Sequence, residues 1–248
     1  MGAPAEVGSP AITDERGTWS ADAIPCTTDG STVTGSVRFV PFGATAAFHV
    51  VAARGNSGVE LLVVDAAEAS TAALPSLDFS RPSATVSFDS APATRLATAD
   101  QAVMAIERGV DIGLLAVVAD QLGGSQRCFD TTLDYIKLRK QFNREIGGFQ
   151  AIKHRMADAL MLVEMTRSGL ERAAGENTHD LSAQASALKS WGSESYVAIT
   201  AETIQLHGVV GFTWEHDAHL YFRRARYDAA FLGDAPFHKE RLASLLKW

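Results

Sequence analysis

With 248 residues, 46% of them apolar and 21% charged, the chain has the length and composition of a soluble globular protein of one large or two medium-sized domains. Its formal net charge of −7 disfavours binding to nucleic acid or anionic membranes, and no apolar stretch is long enough to span a bilayer. Cys26 and Cys128 lie outside any CxxC pattern and the N-terminus lacks a secretory signal, so we expect a cytoplasmic protein without a disulfide or a metal site.

The first 97 residues predict a β-domain. They are rich in Val, Thr, Ala and Gly, and their short apolar runs are separated by turn residues such as the GNSG of residues 55–58. Several strands with short connections and no long helix predict a small antiparallel sheet or barrel. The predicted strands cover residues 32–43, 46–54, 59–66 and 83–93.

Residues 98–248 predict an up-and-down helical bundle, because the apolar residues now recur at helical spacing. Gly123 and Gly124 interrupt the first helix at a cost of about 1 kcal/mol each, so we expect both to permit close packing against another helix. The whole chain is therefore predicted to be an α+β protein. Further helices are predicted over about 147–175, 183–208 and 215–231 and from Pro236, with a polar loop over 174–182.

Two segments of the helical half carry side chains suited to binding a ligand. In the first, Arg139 offers charged donors to an anion and Phe142 offers an aromatic face, although a solvated basic helix end has the same composition. In the second, Gly208 and Gly211 allow close backbone approach beside the amide of Gln205.

The second segment also contains three histidines and an aromatic residue that need no binding role. His207, His216 and His219 lack acidic neighbours at metal-ligand spacing, so they predict no metal site. Trp214 is expected to pack in a helix interface.

Together these segments resemble the C-terminal domain of the flavin-dependent acyl-CoA dehydrogenases, and residues 20–97 resemble the middle β-domain of that family more weakly. The stretch GFTWEHDAHLYFRRA is similar to the form found in actinobacterial members that degrade lipids and steroids. The matching residues are Tyr135, Arg139, Gln141, Phe142, Ile146, Phe149, Gln150, Ala157 and Asp158 in the first segment and Gln205, Gly208 and Gly211 in the second.

The resemblance implies an FAD-dependent enzyme that removes two hydrogens between the α and β carbons of an acyl-CoA thioester. Family members are tetramers in which each FAD lies across two subunits. By this resemblance Arg139 contacts the diphosphate, Gln141 and Phe142 lie along the cofactor, and Gln205 with Gly208 and Gly211 lies near the adenosine part.

The chain also departs from the family pattern in the groups that surround the flavin ring and the substrate. The chain begins near the β-domain, so we expect the N-terminal helical domain of the family to be absent or supplied otherwise. Pro41 replaces the threonine that contacts the flavin, and proline offers neither a hydroxyl nor a backbone N–H.

The catalytic carboxylate of the family is missing too. Its usual position before Gly233 holds Leu232, and the position used by a minority of members holds Gly113. Asp111 lies on a different helical face from Gly113, and Asp234 has a shorter side chain and is expected to cap the last helix.

These departures predict a subunit of an α2β2 acyl-CoA dehydrogenase of lipid or steroid side-chain catabolism, in which a partner supplies the flavin-ring site and the catalytic glutamate. Such a tetramer holds half the usual number of FADs. Two alternatives stay open. One is a self-sufficient enzyme with Asp234 or Asp111 as base, and the other is a flavin-free scaffold or regulatory subunit.

Overall fold

A computed structural model describes residues 7–175 and 180–248 of the chain. The chain divides into two compact units. The first comprises Met1–Val110 with Phe231–Gly233, and the second comprises Asp111–Ala230 with Asp234–Trp248. The first unit is built from strands and the second from helices.

The described residues of the first unit form a seven-stranded sheet. The GNSG turn joins β4 to β5, whose residues pair in antiparallel register from Phe48 with Asp65 to Gly55 with Gly58. The strands are β1 (Gly8–Ala11), β2 (Cys26–Thr28), β3 (Thr32–Pro41), β4 (Phe48–Gly55), β5 (Gly58–Asp65), β6 (Ala69–Leu74) and β7 (Ser83–Thr98).

The sheet closes on itself, because β5 pairs with both β7 and β4 while β2 and β3 complete the circuit. Alternating inward side chains of these strands, such as Val37, Val51, Leu62 and Val86, are fully buried and fill the interior. Closure thereby removes the exposed strand edges that an open sheet leaves.

The described residues of the second unit form a bundle of five helices with a short hairpin between the first two. Helix α3 lies at its centre and packs against α2, α4 and α5. It is therefore buried on most of its faces, which accounts for the many Ala, Ser and Gly residues in its sequence. The helices are α1 (Ala99–Leu138), α2 (Gln150–Gly175), α3 (Leu181–His207), α4 (Ala218–Ala230) and α5 (Ala235–Leu245), and the hairpin strands are β8 (Lys140–Gln141) and β9 (Arg144–Glu145).

The two adjacent glycines of α1 differ in their surroundings. A Cβ on Gly124 would lie 2.2 Å from the hydroxyl oxygen of Tyr196 on α3, so this glycine permits close helix packing as predicted. A Cβ on Gly123 would meet no atom within 4 Å, and the same prediction for Gly123 is wrong. Gly123 lies on the outward face of the helix, where nothing requires a missing side chain.

The α+β class, with a β-region followed by a helical bundle, is confirmed. The sheet is not purely antiparallel, however, because β4 pairs in parallel with β1 and β2. The polar loop predicted over residues 174–182 lies partly outside the described residues, since 176–179 are not among them. Among the helices that the structure describes, none is long and apolar enough to cross a membrane.

Candidate functional site

The first predicted binding segment forms the hairpin that follows α1. Phe142 and Asn143 occupy its tip with φ angles of 51° and 63°, the left-handed pair that a tight two-residue hairpin turn requires. The backbone of Arg139 anchors the hairpin, because its N–H donates to the carbonyl of Tyr135 and its carbonyl accepts from Ile146 N–H at 2.8 Å. The helix end and the turn together therefore present this segment in one defined conformation.

The side chains of the hairpin form an exposed aromatic and cationic surface. Phe142 is 88% exposed, although its ring lies edge-on to that of Phe149 at 6.3 Å. The guanidinium of Arg144 lies 3.7 Å from the centre of the Phe149 ring. Arg139 and Gln141 are also exposed, and the Gln141 amide donates to the carbonyl of Lys140.

The second predicted segment, residues 204–226, begins with the C-terminal end of α3 and the short 3-10 helix Gly208–Phe212, which carry its candidate binding residues, and it continues into α4. Gly208 ends α3 with a φ of 66°, as its position after the helical run predicted. Gln205 and Gly208 are exposed, whereas Gly211 is buried, and a Cβ on it would lie 3.1 Å from the carbonyl oxygen of Ile204. Gly211 therefore allows the chain to fold back on the end of α3.

Direct contacts bring the two segments together at one end of the bundle. The Tyr135 ring stacks on the His207 ring with their centres 4.4 Å apart, and the Tyr135 hydroxyl donates to the His207 carbonyl at 3.4 Å. Tyr135 lies one helical turn before Arg139, and His207 directly precedes Gly208. All six predicted cofactor-binding residues thus belong to two segments that are in contact.

The chemical groups on the two segments are suited to bind the diphosphate and adenosine parts of FAD. A guanidinium suits phosphate oxygens, a phenyl ring provides a face for a planar group, and glycine leaves the backbone accessible. Arg139, Phe142 and Gln205 lie on an open surface. A neighbouring cavity beside His216 and Tyr221 has a volume of about 160 Å³, which is below the range of ordinary small-molecule sites. A ligand on this surface needs a second surface to cover it.

The position at which the sequence resemblance places the catalytic base of the family lies in the tight connection between α4 and α5. Leu232 and Gly233 both have positive φ angles there, 57° and 105°, and Leu232 offers no proton acceptor. The Asp234 carboxylate accepts from the Phe237 N–H at 3.0 Å, so the predicted helix cap is confirmed.

The other acidic alternative, Asp111, lies in α1 two residues before Gly113. Its carboxylate is only 2% exposed and forms an ion pair with Arg241 of α5 at 2.8 Å. It also accepts a hydrogen bond from the Ser182 hydroxyl. These contacts join three helices and give Asp111 a structural role.

A buried charged pair in the bundle was not anticipated from the sequence. Lys189 of α3 and Asp228 of α4 are both fully buried. Burial lowers the pKa of Lys189 to about 8, and the negative charge of Asp228 opposes that shift. The sequence feature that could have indicated this burial is the single lysine among the small and apolar residues of α3.

Trp214 and the two cysteines add no reactive group to the candidate site. Trp214 is 72% exposed, so the prediction that it packs in a helix interface is wrong. Burial raises the pKa of both Cys26 and Cys128 to about 12, which leaves neither thiol reactive. Among residues 7–175 and 180–248, no group of three His, Cys, Asp or Glu side chains is arranged to hold a metal ion.

Residues 101–246 match the family model described as the acyl-CoA dehydrogenase C-terminal domain. The chain is 42% identical over 123 residues to acyl-CoA dehydrogenase IpdE2 of Mycolicibacterium smegmatis, covering 50% of this chain and 39% of that protein. It is 35% identical over 221 residues to acyl-CoA dehydrogenase FadE34 of Mycobacterium tuberculosis, covering 87% of this chain and 30% of that protein. The chain thus spans well under half the length of these relatives.

Two solved structures show the same architecture. A variant of the Tcur3481-Tcur3483 steroid ACAD superposes with a TM-score of 0.85 at 28% identity, covering 98% of this chain and 67% of that chain. The ChsE4-ChsE5 complex from Mycobacterium tuberculosis superposes with a TM-score of 0.86 at 26% identity, covering 98% of this chain and 66% of that chain.

Proposed function

Because the chain belongs to the acyl-CoA dehydrogenase family, we propose that it is the non-catalytic subunit of a heteromeric enzyme of that family. Its role is to hold the diphosphate and adenosine parts of an FAD whose flavin ring lies in a partner subunit. The partner carries the glutamate that removes the α-proton of the acyl-CoA thioester.

One observation carries this proposal. The residues suited to the cofactor tail lie on two segments in contact at one end of the bundle. The resemblance to the family places Leu232 and Pro41 where a self-sufficient member has a carboxylate and a hydroxyl. In a shared site, one chain supplies the residues around the cofactor tail and its partner supplies those around the flavin ring and the substrate.

Each residue of this half-site has a defined task in the proposal. The Arg139 guanidinium binds diphosphate oxygens, and Phe142 covers the cofactor from one side with Gln141 beside it. Gln205 donates to or accepts from the adenosine part, and the exposed Gly208 leaves the backbone beside it uncovered. The buried Gly211 acts indirectly, because it lets the 3-10 helix fold back on the end of α3. When bound, FAD supplies the two-electron acceptor for the dehydrogenation that the partner performs.

The nature of the partner is supported by the structural neighbours. The names Tcur3481-Tcur3483 and ChsE4-ChsE5 each join two proteins, and both structures exceed 25% identity to this chain. We therefore expect a related acyl-CoA dehydrogenase chain as partner, in an α2β2 arrangement. The steroid ACAD among these neighbours supports a bulky lipid or steroid acyl-CoA as the substrate class.

Co-expression with a related catalytic chain tests the proposal. We expect flavin absorbance and acyl-CoA oxidation in the co-purified complex and neither in this chain alone. Arg139→Ala removes charge-assisted hydrogen bonds to the diphosphate and should weaken FAD binding by about 10- to 100-fold. Arg226→Ala is the matched control, because Arg226 is an exposed arginine of α4 that is not one of the candidate binding residues.

The alternatives predict different results in the same experiment. A self-sufficient enzyme would be yellow and active without any partner. A flavin-free scaffold would form a complex whose FAD affinity is the same with Arg139→Ala as without it. Either result contradicts the proposal.

A further inference from the structure

Three aromatic rings from three parts of the helical unit lie against one another behind the half-site. Tyr135 comes from the last turns of α1, His207 from the end of α3, and His216 from the loop before α4. The His207 ring is in the middle, 4.4 Å from the Tyr135 ring and 4.5 Å from the His216 ring. His207 is 3% exposed, so it has no direct access to a ligand in solution.

The orientation of the His207 ring is determined by one hydrogen bond. Its Nδ1 lies 2.8 Å from the carbonyl oxygen of Thr203, and because a carbonyl can only accept, Nδ1 carries the proton. Burial lowers the pKa of His207 by more than its hydrogen bond with the Thr203 carbonyl raises it, and the neighbouring His216 lowers it further, so the net shift favours the neutral ring. A neutral ring of one tautomer is thereby held between its two neighbours.

The stack of the Tyr135, His207 and His216 rings is connected to both predicted binding segments by contacts between neighbouring residues. The backbone carbonyl of Tyr135 accepts from the N–H of Arg139, so the residue whose ring stacks on His207 lies one helical turn before the start of the hairpin. The Cβ of His207 lies 3.2 Å from where a Cβ on Gly211 would be, so the 3-10 helix packs directly on His207. Beneath the rings, the Thr132 hydroxyl of α1 donates to the Thr203 hydroxyl of α3 at 3.1 Å.

We infer that His207 is a positioning residue for the cofactor half-site, which sets the Arg139 hairpin and the Gly208–Phe212 segment at the spacing that one ligand molecule needs. The inference rests on the proposed function, since the ligand in question is the diphosphate and adenosine part of FAD. His207 acts through Tyr135 and Gly211 and contacts no reacting atom.

Three substitutions separate the two contributions of the imidazole. His207→Ala removes the ring stack and the hydrogen bond to Thr203. His207→Phe keeps a ring between Tyr135 and His216 and removes the donor, whereas His207→Asn keeps a donor near the Nδ1 position and removes the ring. His238→Ala is the matched control, because His238 is an equally buried histidine (1% exposed) of the same unit, on α5.

The first readout is FAD affinity of the co-purified complex. We expect His207→Ala to weaken FAD binding about tenfold. His207→Phe should restore more of the affinity than His207→Asn, because the stack joins the two segments. His238→Ala should lower stability without changing FAD affinity, and an equal loss of affinity in both alanine variants would overturn the inference.

The second readout needs no FAD. Hydrogen exchange of this chain alone should become faster in His207→Ala at the amides of residues 139–146 and 208–212 together, and slower again in His207→Phe. If Arg139→Ala leaves FAD affinity unchanged while exchange responds as expected, the proposed function fails, and what stands is that His207 sets the spacing of the two segments. If Arg139→Ala weakens FAD binding while His207→Ala changes neither exchange nor affinity, the positioning role is wrong.

Discussion

At the scale of single residues, His49 is a polar side chain that is buried in the interior of the closed sheet. It lies on β4, is fully buried, and its ring meets that of Phe88 edge-on at 6.0 Å. Neither ring nitrogen has a hydrogen-bond partner, and burial lowers its pKa. An unsatisfied buried N–H costs about 1–3 kcal/mol, so His49 destabilises the unit that contains it.

Replacing His49 by Leu, a side chain of similar size, should therefore raise the free energy of unfolding by about 1 kcal/mol or more. The pH dependence should change as well. As the pH falls below about 6.5, the unfolded chain binds a proton at His49 that the native ring binds only at lower pH, so unfolding becomes easier. Urea unfolding between pH 7 and pH 5 measures both effects. The same slope with pH in the variant as in the wild type would contradict this explanation.

Asp234 could act as a catalytic base or as a helix cap, and the two roles predict different effects of substitution. Its bond to the Phe237 N–H predicts that Asp234→Ala lowers the free energy of unfolding by about 0.5–2 kcal/mol. Asp234→Ser keeps a cap and should restore stability. In the co-purified complex both variants should retain full turnover. A general base contributes about a hundredfold or more, so a loss of that size in the serine variant would identify Asp234 as the base.

At the scale of helices, α3 is held by small residues that let its neighbours approach closely. Gly124 of α1 faces the fully buried Tyr196, and Gly192 of α3 leaves room for Gln121, whose side-chain amide donates to the Ser193 hydroxyl. Helical periodicity predicted which segments are helices, but it did not show that α3 is surrounded on most faces.

The adjacent glycines of α1 provide a matched test of this packing. Gly124→Ala forces a methyl group against the Tyr196 hydroxyl and should cost about 1–3 kcal/mol of stability. Gly123→Ala adds a methyl group in open space and should stabilise the chain by up to about 1 kcal/mol through helix propensity. Thermal unfolding of the two variants measures the difference, and similar shifts of the same sign would contradict the packing.

At the scale of the whole molecule, the proposed function requires the chain to present half of a cofactor site on an open surface of its helical unit. Four apolar side chains of this unit are each more than 70% exposed: Phe142, Val209, Phe212 and Trp214. We expect a partner to cover this exposed apolar surface.

The proposed assembly has a definite cofactor content. An α2β2 complex with one FAD at each shared site should contain one FAD for every two polypeptide chains. Flavin absorbance of the purified complex, together with its native mass, measures this ratio. One FAD per chain would show that this subunit holds a complete site of its own.

The sequence by itself determined the features that act over a few residues. The GNSG hairpin, the end of α3 at Gly208 and the cap at Asp234 were predictable because turn and cap preferences depend on neighbouring backbone groups. The family resemblance likewise lay in short motifs around Arg139 and Gln205. Only the tertiary structure decided which residues meet across helices. It exposed Trp214, left Gly123 in open space and buried Lys189, because burial depends on how elements distant in the chain pack together.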